Sequence, residues 1–171
     1  IGVLNLSSIK EIVVGISKMK FQDSLESIVL NNALPKVNKS IALLAISNIY
    51  TLSKDPQINN ETKEFAFYVL QYWKTIQQEE KEEEEIVTNL VYSALILFYN
   101  IVLKRPEQSD TIKKVLSIIT DHILVFNDPQ IVNVVLEIIT LFTRHHQVKN
   151  ANGLKFIDTS SLLLKNKDVI Q

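Results

Sequence analysis

The residues able to do chemistry in this chain are few in kind, and their spacing limits what they can do. Three histidines occur, His122, His145 and His146. Chelation of a metal by one helix needs two ligands three or four residues apart, so that they share a face. His145 and His146 are adjacent, which sets them about 100° apart around a helix; as cations at a helix C-terminus they answer its dipole instead. His122 follows Asp121 and reads as a surface or partly buried helical residue. The chain has no cysteine, which removes a thiol nucleophile, a thiolate metal site and a disulfide framework together. No Gly-x-Ser-x-Gly turn occurs, and Gly2, Gly15 and Gly153 are too scattered to build a phosphate-cradling loop. Carboxylates concentrate in residues 79–85, six glutamates and one lysine, rather than standing alone in apolar surroundings suited to acid–base work. Asp121 and Glu137 sit singly on apolar helices and read as solvent-facing. The expectation is a protein that is not an enzyme, with no cofactor, no metal and no small-molecule substrate.

Two polar groupings remain as candidate recognition surfaces. Asn89, Ser93 and Asn100 line up along one stripe of an otherwise apolar helix and form the candidate partner surface. Lys113, Lys114, Arg144 and Lys149 belong to a scatter of bases that gather near helix ends, and stacked helices would align them as a weakly basic strip. The net charge is −1 and no aromatic residues interleave with these bases, so nucleic-acid binding is the weaker alternative. The acidic run, a loop at about 78–85, reads as a solvated lead into a helix start, where carboxylates meet the positive end of the dipole. An acidic docking element is the alternative.

The elements that must position these groups are helices throughout, since apolar residues recur at helical spacing and no strand alternation stands out. A capping-box pattern, Ser8-Ile9-Lys10-Glu11, opens the first helix. A short helix from Asp23 turns Leu25, Ile28 and Val29 inward and ends at Asn31-Asn32. Pro35 suits the first turn of the next, with Val37, Ile41, Leu44, Ala45 and Ile49 as its stripe. Asn60 can cap a fourth helix carrying Phe65, Tyr68, Val69, Tyr72 and Ile76 inward. Residues 86–103 carry no charge at all, a length at the lower edge of a membrane span. Flanking amphipathic helices and the polar stripe favour a buried central helix instead, with Val87, Leu90, Val91, Ala94, Leu95, Phe98, Ile101 and Val102 over a wide arc. Asp110 caps the following helix (Ile112, Val115, Leu116, Ile119 and Ile123 inward). Asp128-Pro129 opens another, with Asp as cap and Pro at the first helical position. A turn at 150–153, a helix over about 154–164 and a further helix start near Asp168 complete the chain.

Some of this pattern repeats. Asp55-Pro56-Gln57-Ile58 returns as Asp128-Pro129-Gln130-Ile131, and Pro35-Lys36-Val37 with Ile41, Leu44 and Ala45 superimposes on Pro129-Gln130-Ile131 with Val135, Ile138 and Ile139. Over 127–171 an Asn-Asp-Pro junction, a long apolar helix, a Gly153-Leu154 turn and Leu162-Leu163-Leu164 lead to Asn166-Lys167-Asp168, a period of roughly 39 residues. This resembles an armadillo or HEAT-type repeat. The resemblance implies an all-α, irregular α-solenoid of about eight helices. Across 1–171 it implies a single helical-repeat domain that acts as a non-catalytic protein–protein interaction scaffold in a multi-subunit assembly. A compact all-α regulatory domain is the other architecture to weigh. Peptide-binding armadillo proteins carry a ladder of Trp and Asn four residues apart. Here the single tryptophan, Trp73, has Gln77 at that spacing and no second Trp to extend a ladder.

Three Asn-x-Ser/Thr triplets, at Asn5, Asn38 and Asn60, match what an Asn- and Ser-rich chain holds by chance. No secretory leader is visible at Ile1. With cysteine absent, the expected location is intracellular, cytoplasm or nucleus. The closing residues read as the opening of another helix, so a longer protein is expected.

Overall fold

The computed structural model describes residues 21–53, 57–79, 83–105, 109–123 and 128–146. Six α-helices fill them: α1 (Phe21–Leu30), α2 (Lys36–Leu52), α3 (Asn60–Glu79), α4 (Glu84–Lys104), α5 (Ser109–Ile118) and α6 (Pro129–His146). A single π-helical turn, Ile119–Ile123, extends α5. Among the described residues there is no strand. The helices expected over 8–19, 154–164 and from Asp168 lie outside the described residues.

Each helix boundary has a local cause. Asn31 ends α1: its amide bonds the Ser27 carbonyl at 3.0 Å and its Oδ1 accepts the Ala33 amide at 2.9 Å. Pro35 sits one step before the first turn of α2, extended at φ −55° and ψ 149°. The α3 cap is Asn59 rather than Asn60, because it is Asn59 Oδ1 that accepts the Thr62 amide, at 2.7 Å. Asp128 caps α6 as its sequence implies, with Oδ1 accepting the amides of Gln130 (2.8 Å) and Ile131 (3.1 Å). The acidic stretch is not one loop. Gln78 and Glu79 complete α3, Glu83 precedes α4, and Glu84 and Glu85 occupy its first turn, where the free amides favour negative charge.

The helices lie in two rows. In one, α1 packs on α3 and α3 on α5; in the other, α2 packs on α4 and α4 on α6, with α1 against α2 and α3 against α4 across the rows. Their direction follows from paired side chains. Ser40 of α2 meets Ser93 of α4, and seven residues further along both helices Ser47 meets Asn100. The two helices therefore run parallel, about 10.5 Å of rise separating the rungs on each. In the other row Glu64 meets Lys114, and Trp73 meets the His122 carbonyl in the π turn, so α3 and α5 also run parallel. Partners in both rows are 49 to 53 residues apart in the chain.

The core follows. The eight apolar α4 residues expected inward are all buried, and Leu97 joins them. By length and composition α4 would cross a membrane, yet 61% of its most apolar window is buried inside the protein, against the helices around it. Phe98 stacks on Phe67 of α3 with ring centroids 4.4 Å apart. Two expected stripes are rotated. On α2 the buried face runs through Ala42, Leu43, Ala45, Ile46, Ile49 and Tyr50, leaving Val37 exposed; on α3 it runs through Ala66, Phe67, Val69, Leu70 and Ile76, leaving Tyr68 and Tyr72 exposed. Both helices carry apolar residues on more than one side, and contacts with α4 choose which side is covered.

Candidate functional site

The expected partner stripe splits in the folded chain. Only Asn89 is exposed; Ser93 is fully buried and Asn100 is 8% exposed. The Ser93 hydroxyl donates to the Asn89 carbonyl at 2.7 Å and lies 3.1 Å from the Ser40 hydroxyl, which is also 3.4 Å from that carbonyl. One rung on, Asn100 Nδ2 donates to Ser47 Oγ at 2.6 Å, and Ser47 Oγ donates to the Ile96 carbonyl at 3.2 Å. Ser93 and Asn100 thus form, with Ser40 and Ser47, a buried polar seam between α2 and α4. They do not face a partner, because α2 covers them. Each group in the seam has a hydrogen-bond partner, as burial of polar atoms requires, and the seven-residue spacing fixes the register of two otherwise greasy helices.

Of the expected basic strip, the structure describes the side chains of Lys113 and Lys114. Lys113 and Lys114 sit in the middle of α5, whereas Arg144 lies in the last turn of α6, in the other row, and Lys149 lies outside the described residues. Lys114 Nζ is 3.0 Å from both Glu64 carboxylate oxygens and 3.9 Å from the Phe67 ring centroid. Its charge is used within the protein, tying α5 to α3. Lys113 is largely solvated, with Asp110 at 3.9 Å. Trp73 is half-buried, and its indole N–H donates to the His122 carbonyl at 2.9 Å. That bond satisfies a carbonyl within the π turn.

What the described surface does offer is an aromatic pair on the outer side of α3. Tyr68 is 43% exposed and Tyr72 44%, their ring centroids are 5.2 Å apart, and Gln71 Nε2 donates to the Tyr72 hydroxyl at 3.2 Å. Tyr72 has non-helical angles, φ −117° and ψ 21°, so α3 kinks at the pair. Tyr at an i, i+4 spacing reads as core on periodicity. The clue to exposure is a competing stripe, Ala66-Phe67, Val69-Leu70, Trp73 and Ile76, which accounts for a full buried face without them.

Comparison with protein-family models, with curated proteins and with solved structures finds no match.

Proposed function

We propose that this chain is a non-catalytic protein–protein interaction module, an irregular armadillo/HEAT-like helical stack serving as a scaffold within a multi-subunit assembly. The observation that carries the architecture is the parallel register of like helices. In an up-and-down bundle the most extensive contacts join sequence neighbours that run antiparallel. Here the most extensive contact joins α2 to α4, which run parallel, and α3 and α5 follow the same rule at nearly the same chain offset. Translation of one helix pair onto the next is the geometry of a solenoid. A step of about 50 residues fits better than the shorter period read from 127–171. The likeness of Pro35 to Pro129 agrees, since those prolines open α2 and α6, two steps apart in one row. Asp55 and Pro56, which resemble Asp128 and Pro129 in sequence, lie outside the described residues.

The docking surface best supported within this module is the outer side of α3 at Tyr68 and Tyr72. Tyrosines supply large contact area at low entropic cost and are enriched at interfaces. Two measurements test the reading. Small-angle scattering should give an elongated particle, whereas a nearly spherical one removes the stack. Affinity capture with wild-type chain and with Tyr68→Gln/Tyr72→Gln should lose a partner in the variant while thermal stability holds. Capture of the same partners at the same strength removes this surface.

A further inference from the structure

The outer side of the second row is built without charge along most of its length. On α4 it lies a quarter turn from the Ser93–Asn100 edge that meets α2, and it faces away from Phe98, which meets α3. This side reads Glu85, Asn89, Tyr92, Ile96, Tyr99 and Leu103, all at helical spacing. Glu85, Asn89 and Leu103 are exposed, and the three between them are half-buried. On α2 the stripe a quarter turn from Ser40 and Ser47 runs through Val37, Ile41, Leu44 and Asn48. It adjoins the α4 stripe because the two helices run parallel, and it has no charge either. Among the described residues, the helices packed on α4 stand beside it in its row or across from it in the other, and none lies on this side. Solvent-facing positions of a helix are ordinarily polar or charged. The outer sides of α3 and α5 follow that rule, with Glu61, Glu64, Lys113 and Lys114 exposed.

Charge returns only at the two ends of the α4 stripe. Glu83, Glu84 and Glu85 are exposed at its start and have no ion pair among the described residues, and Lys104 is exposed at its finish. Glu85 and Lys104 are separated by about 28 Å of helical rise. We propose that this face joins a second copy of the same chain, with α4 lying antiparallel on α4 about a two-fold axis at the middle of the helix. A two-fold axis normal to the face reverses the helix, so the stripe meets itself read backwards. Glu85 then meets Lys104 of the second copy, Asn89 meets Tyr99, and Tyr92 meets Ile96. Opposite charges oppose at the ends, hydrogen-bonding groups lie inside them, and apolar contact fills the centre. A strip as long as α4 and two helix widths across covers about 600 Å² on each copy. The total, about 1,200 Å², reaches the lower end of specific interfaces. This face is in the other row from Tyr68 and Tyr72, so it stands whether or not that surface binds a partner.

The test is sedimentation velocity of the full 171-residue chain from about 1 µM to about 200 µM, a range suited to a small interface. A dimer should grow in with concentration. Ile96→Lys puts two ammonium groups beside the axis and should weaken association at least about tenfold. Glu85→Lys, at an exposed position that leaves folding untouched, sets like charges together at both ends and should weaken it about threefold. Adding Lys104→Glu to Glu85→Lys reverses both ends and should restore association to within about twofold of the wild type. That rescue reads the antiparallel pairing directly and is independent of how Ile96→Lys folds. Tyr68→Gln/Tyr72→Gln should leave the dimer unchanged. A monomer at every concentration overturns the proposal, and one that binds phosphatidylcholine vesicles instead assigns the face to a membrane. Loss of the dimer in the tyrosine variant, or a charge reversal that fails to restore it, overturns the proposal as well.

Discussion

Removal of the Asn100 side chain isolates the seam that orders the second row. In Asn100→Ala a buried hydrogen bond of 2.6 Å to the Ser47 hydroxyl is lost, which costs about 1 to 1.5 kcal/mol. The void left by the amide, at a position 8% exposed, adds about 0.5 to 1 kcal/mol, so the expected loss is about 2 kcal/mol. Ser47 keeps the Ile96 carbonyl as its own acceptor, so its hydroxyl proton is not stranded. A residue on an open surface would instead respond within about 0.5 kcal/mol, and Asn89→Ala should behave that way. The decisive measurement is a pair of double-mutant cycles in urea denaturation. Asn100→Ala with Ser47→Ala should couple by about 1 kcal/mol, whereas Asn100→Ala with Ser40→Ala, a rung away, should add to within about 0.4 kcal/mol. Coupling to Ser40 in place of Ser47, or to neither, refutes the parallel register and with it the two-row architecture.

Other substitutions probe separate joints of the fold. Leu90→Ala, at a fully buried position of the central helix, should cost about 3 kcal/mol by chemical denaturation. Trp73→Phe removes the bond to the His122 carbonyl and should lower Tm by about 2 to 4 °C in calorimetry. Thr62 Oγ1 is buried without a hydrogen-bond partner among the described residues; Thr62→Val removes that burden and should raise stability by up to about 1 kcal/mol. Lys114→Ala breaks a pair whose side chains are 44% and 67% exposed. It should cost under about 1 kcal/mol, with the difference shrinking as salt is added.

The sequence by itself determined the class of structure. Helical periodicity, Asp128-Pro129 at a helix start and the uncharged run over 86–103 all act within a few turns of chain, and the structure reproduces them as α6 with its cap and α4 at the centre. The faces were legible where one stripe is apolar and the rest is not, as on α4 and on α5, whose Ile112, Val115 and Leu116 are buried. They were not legible on α2 and α3, where two apolar stripes compete and only the neighbouring helix settles which is covered. The polar stripe shows the same limit from the other side. Asn89, Ser93 and Asn100 look alike on a helical wheel, but Ser40 and Ser47, 53 residues earlier in the chain, supply partners that let Ser93 and Asn100 be buried. No local pattern announces a hydrogen bond across that distance. Tertiary structure alone decided it, and by the same means it set the direction of the rows, placed Lys114 on Glu64 and left Tyr68 and Tyr72 facing outward.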